Sequence, residues 1–115
     1  MAYSIKRLPF PDALANIPCT VVLYDEGVSE DGGPVVAATI DAKCIFSEHA
    51  KRTTDSDGKA VILAGKAIIK GDIAPALRTV SNGKLNALGR EYEIHVGHRP
   101  RNPDGTVHHT EFELL

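Results

Sequence analysis

Gly89 to Leu115 read GREYEIHVGHRPRNPDGTVHHTEFELL, and this stretch sets the fold class. Tyr92, Ile94 and Val96 alternate with Glu91, Glu93 and His95. A period of two predicts a strand with one buried face. Arg99 to Gly105 interrupt it with turn chemistry: Pro103 presets φ, Asp104 suits the next position and Gly105 tolerates positive φ. Thr106 to Leu114 resume the pattern with Val107, Phe112 and Leu114. The apolar parity changes between Val107 and Phe112, so a bulge is expected near His108-His109. A four-residue loop at Asn102–Gly105 would pair Arg101 with Thr106, setting His98 opposite His109 and His95 opposite Phe112. An isolated hairpin is marginal in water, so this one must dock on more sheet.

Working back toward the start, Leu85 to Leu88 form a short strand, and Asn82-Gly83 is a hairpin signal. Asp72 to Val80 suit one short helical turn, with Asp72 as cap and Pro75 in its first turn. Lys59 to Gly71 (KAVILAGKAIIKG) are strand-like, with Gly65 at a bulge or bend. Val35 to Glu48 alternate Ala38, Ile40, Ala42, Cys44 and Phe46 with polar partners, as in an antiparallel sheet wetted on one face. Between these two runs, Glu48 to Gly58 (EHAKRTTDSDG) read as a polar loop at the tip of a long hairpin. Cys19 to Glu26 make the first strand, and Gly27 to Pro34 a two-glycine loop. Residues 1–18, with Pro9, Pro11 and Pro18, read as an extended arm in which Asp12 caps one short turn. The arm packs either on its own barrel or on a neighbouring subunit. The expectation is one all-β domain over residues 1–115. It is a small antiparallel β-barrel or sandwich of five to six strands, with at most two short helical turns.

Composition narrows the function classes. With three Phe, three Tyr and no Trp, the core is mostly aliphatic. A net charge of −2 argues against general nucleic-acid binding. The charge is uneven: residues 1–50 carry three basic and seven acidic groups, residues 51–101 ten and five, and residues 102–115 none and three. Such a two-signed molecule suits stacked or head-to-tail assembly. The start lacks the apolar run of a signal peptide, and no window reaches the ~20 apolar residues of a membrane span. Cys19 and Cys44 form no CxxC site and are expected to be buried free thiols.

Motifs for chemistry fail on spacing. Asp55-Ser56-Asp57-Gly58 begins like a calcium loop, but the twelfth position is Lys66 where a carboxylate is needed. His95, His98, His108 and His109 are the only cluster suited to a metal, and they lack the spacing of a zinc set. No catalytic residue, cofactor or metal is therefore assigned. Lys51, Arg52, Arg99 and Arg101 suit phosphate contact, yet aromatic residues are not interleaved with them.

The runs Gly89–Ile94 and Arg99–Leu114, with Pro18–Val21 and Ala37–Asp72, resemble minor capsid proteins encoded by phages and prophages of Gram-positive bacteria. These are similar to head-completion (stopper) proteins of long-tailed bacteriophages. The resemblance implies a small β-barrel in the virion's head-to-tail connector. Its ring would close the DNA channel, touch portal, adaptor and tail-completion proteins, and meet DNA only indirectly, with no enzymatic activity and no membrane partner. A monomer in isolation is compatible with that role. By position, the channel or assembly loop would be the polar segment carrying His49, Lys51, Arg52, Asp55 and Asp57, with Arg99 and Arg101 as assembly contacts. Two other readings of the residues are an OB-like module for single-stranded nucleic acid and a small His-dependent metalloenzyme.

Overall fold

The computed structural model describes residues 8–28 and 32–115. Residues 1–7 of the arm and the tip of the Gly27–Pro34 loop lie outside the described residues. Among the described residues there are six strands: β1 (Ile17–Val28), β2 (Pro34–Thr54), β3 (Ala60–Lys70), β4 (Gly83–Ala87), β5 (Arg90–His98) and β6 (His109–Leu114). All pairs are antiparallel, and the sheet closes on itself in the order β1-β2-β3-β6-β5-β4. Among the described residues the one helical element is a 3-10 turn at Asp12–Leu14. Asp12 lies within that turn and makes no side-chain cap.

Two strands are shared between the halves of the barrel. β2 pairs with β1 up to Cys44 and with β3 from Ile45 onward. β5 pairs with β4 up to Glu93 and with β6 from Ile94. These hand-overs let a small number of strands close without an exposed edge around the barrel wall. The core is aliphatic as composition requires: Val21, Leu23, Leu85, Leu114 and Cys44 are fully buried, joined by Ala67, Ile69, Ile94 and Phe112. Tyr92 and Phe46 add a tilted ring pair at 5.4 Å between centroids. Burying a Leu- or Phe-sized side chain stabilises by about 1.5–3 kcal/mol, so this inner face carries the fold.

Four local expectations are corrected. First, Glu48 to Gly58 are not a loop: β2 runs on to Thr54, pairs with Ala60–Leu63, and turns only at Asp55–Lys59. Apart from Leu63, which is buried at its root, this segment is largely exposed, so the polarity that reads as a loop belongs to a projecting ribbon. Second, the terminal register differs. Arg101 bridges Val107, and His98 lies opposite Glu111 while Gly97 lies opposite Phe112. One irregularity is on β5 between Ile94 and Val96, at His95. The register also shifts between the Arg101–Val107 bridge and the His98–Glu111 pair, so the extra residue expected near His108-His109 is present. Third, Asp72 to Val80 form no helix; a turn closes with Leu77 N–H donating to Ala74 O. Fourth, Asn82-Gly83 makes no hairpin. Gly83 opens β4, and the tight turn is Leu88-Gly89, both residues with positive φ, between the paired Ala87 and Arg90. The described part of the arm packs on its own barrel, through Leu8, Pro9, Phe10 and Asp12.

Candidate functional site

The ribbon holds the residues that sequence reading singled out. Lys51 stands opposite Leu63 and Arg52 opposite Ile62 in its ladder, and both cations are exposed. Ile62 is itself 63% exposed, so one face combines a guanidinium with an uncovered aliphatic side chain. Cross-strand partners share a face, which is why this pairing is fixed by register. A register shift between Glu48 and Lys51 lies where the ribbon leaves the barrel. Gly65 is opposite Glu48, and a Cβ there would come within 2.5 Å of the Ser47 carbonyl oxygen. Glycine is thus required at the root of the ribbon.

Asp55 shapes the tip and is not a ligand-gathering group. Its Oδ1 accepts the N–H groups of Asp57 (3.0 Å) and Lys59 (2.9 Å), while its own N–H donates to Lys59 O. Asp57 is exposed on the same turn. Lys66, at the failed twelfth position, instead pairs with Glu111 at 3.1 Å. The side chain of His49 lies outside the described residues.

Arg99 and Arg101 have different surroundings. The Arg99 side chain is 14% exposed. Its Nη1 donates to Leu77 O (2.7 Å) and Arg78 O (3.2 Å), and its Nη2 to Ala74 O (2.6 Å). Nε lies 3.2 Å from Asp72 Oδ1 as an ion pair, without hydrogen-bond alignment. Arg99 therefore fastens the Asp72–Val80 loop to the end of β5, and its charge is not offered outward. Arg101 is exposed, with Nη1 donating to Gly105 O at 2.7 Å.

The Arg101–His108 loop is closed by its own polar groups. Asn102 is buried; its N–H donates to Thr106 O, its Nδ2 to Thr106 Oγ1 (3.0 Å), and its Oδ1 accepts Leu8 N–H (2.8 Å). Asp104 Oδ1 accepts the N–H and Oγ1–H of Thr106. Next to this loop, the Nδ1 atoms of His108 and His109 lie 2.7 Å apart, and His108 Nε2 faces Pro9 O at 3.0 Å. Burial holds the His109 imidazole below its ordinary value; Glu111 opposes this, while His108 and Lys66 add to it.

The four terminal histidines do not converge. His98 is exposed opposite Glu111, His95 sits at the β5 irregularity, and only His108 and His109 touch. Among the described residues no three His, Cys, Asp or Glu side chains form a metal-holding group. Cys19 and Cys44 are buried free thiols on β1 and β2. The hydrogen bond between them pushes Cys19 up, with burial adding to it, and lowers Cys44.

Three structural residues have no periodic signal. Thr110 is fully buried; its Oγ1 donates to Gly71 O (2.8 Å) and accepts Ile73 N–H. Ser81 Oγ bonds both the N–H and C=O of Gly97. Asn102 was legible only as a turn residue. No family model matches the chain, and no curated protein matches it.

Proposed function

We propose that this chain is a non-enzymatic structural protein of a bacteriophage neck, assembling as a ring in the head-to-tail connector. The reading rests on the resemblance carried by Gly89–Leu114, and the projecting ribbon is the observation that supports it most. A closed barrel has few free backbone groups, whereas the ribbon offers two strand edges that are unpaired among the described residues, exposed Lys51 and Arg52, and uncovered Ile62. Such edges are templates for pairing with another chain. In this proposal the ribbon points toward the channel and Arg101 lies at a subunit contact. Arg99 is withdrawn from the contact set because its guanidinium holds its own loop. The experiment is mass spectrometry and immunogold labelling of purified particles. The protein is expected in tail-bearing virions at ring stoichiometry, and its absence from them would overturn the assignment.

A further inference from the structure

We infer that His108 and His109 form a proton-operated latch that holds the N-terminal arm on the barrel and releases it on acidification. The geometry dictates the proton positions. Pro9 O is an acceptor only, so His108 Nε2, 3.0 Å away, must carry the hydrogen. Neutral His108 then presents a bare Nδ1, and His109 Nδ1, at 2.7 Å, must donate to it. One added proton is tolerated: His108 becomes the donor on both nitrogens, and His109 accepts at Nδ1 after its own hydrogen moves to Nε2. A second added proton places N–H on both Nδ1 atoms. Two donors on two cations cannot stay at that distance.

The surroundings decide which ring moves. His109 is held in β6 opposite Lys70 of β3, with Glu111 two residues along and Lys66 on β3 paired to Glu111. His108 precedes β6, and its ring contacts the arm through Pro9 O and the Phe10 ring at 5.8 Å. Displacing His108 therefore removes one polar and one aromatic anchor of the arm together. Two further ties at this seam part when the arm leaves. One is the exposed Lys70–Asp12 ion pair at 3.1 Å, and the other is Leu8 N–H on Asn102 Oδ1. Burial and Lys66 disfavour a proton on His109 and Glu111 favours it, the balance holding its imidazole below the ordinary value.

Nuclear magnetic resonance of the full chain tests this. Long-range proton–nitrogen spectra at pH 7.5 are expected to show His108 protonated on Nε2 and His109 on Nδ1. Between pH 7 and pH 5, the amide signals of Leu8 and Phe10 are expected to move to random-coil positions, with barrel amides such as Val21 and Phe112 unchanged. In His109→Asn, which removes the second titrating ring, the arm signals are expected to stay at their docked positions across that range. Arm signals in the native chain that do not move between pH 7 and pH 5 would overturn the latch. So would release in His109→Asn with the native midpoint. The native titration alone decides the matter if the variant does not fold.

Discussion

Leu88 adopts φ of 52° in the two-residue turn that joins β4 to β5. A branched side chain there costs about 1 kcal/mol, because Cβ crowds the following carbonyl. Leu88→Asn creates the Asn-Gly pair that this turn geometry favours. It is expected to raise stability by about 1 kcal/mol in urea unfolding. Arg99 is the opposite case. Arg99→Met leaves three carbonyl acceptors and Asp72 without their cation, an expected loss of about 2–3 kcal/mol in the same measurement. His109 gives stability a pH dependence of definite sign. Its folded pKa is lowered, so the unfolded chain takes up protons more readily. The contribution is fully present above the ordinary imidazole value and is lost as pH falls through the folded one. Unfolding midpoints from pH 8 to pH 5 are expected to show that loss, reduced in His109→Asn. At this scale the sequence was legible where chemistry and conformation agreed, as at Pro103, Asp104 and Gly105. It misled at Leu88, because leucine carries no signal for positive φ. It gave no sign of the partners that Arg99 and Thr110 find, which are carbonyls from segments distant in the chain.

The ribbon shows what period-two reading captures in an element and what it misses. Alternation from Ala38 to Cys44 reflects a face packed on the core, and the structure keeps that parity. Past Glu48 both faces are wet, so the same backbone carries no apolar period and resembles loop sequence. Likewise the irregularity at His95 resets the inward parity from Ile94 to Gly97, and a glycine at an inward position leaves no hydrophobic mark. The ribbon is separable from the barrel in energy. Ile62→Lys, at an exposed position, is expected to change unfolding free energy by no more than about 0.5 kcal/mol, and under the proposed neck role to reduce incorporation into particles. Gly65→Ala is expected to lower stability by about 1–3 kcal/mol, since its Cβ meets backbone that cannot turn aside. Thermal unfolding followed by circular dichroism separates the two outcomes.

Across the whole molecule, closure of the sheet was foreseen as one of two arrangements, barrel or sandwich. Strand pattern cannot choose between them, because the choice depends on which distant strands meet. The pairs that settle it, β1 with β4 and β3 with β6, join segments far apart in the chain. A topology dominated by such pairings is expected to fold in milliseconds to seconds, measurable by stopped-flow tyrosine fluorescence. β6 lies between β3 and β5 and supplies a rung to each. On the ribosome, where synthesis proceeds at roughly 5–20 residues per second, β2 and β3 emerge well before β6 exists. For that interval β3, though paired with β2, has no partner on the edge where Ala67 and Ile69 later meet β6. The nascent chain is therefore most vulnerable to aggregation and to chaperone capture just before β6 is made.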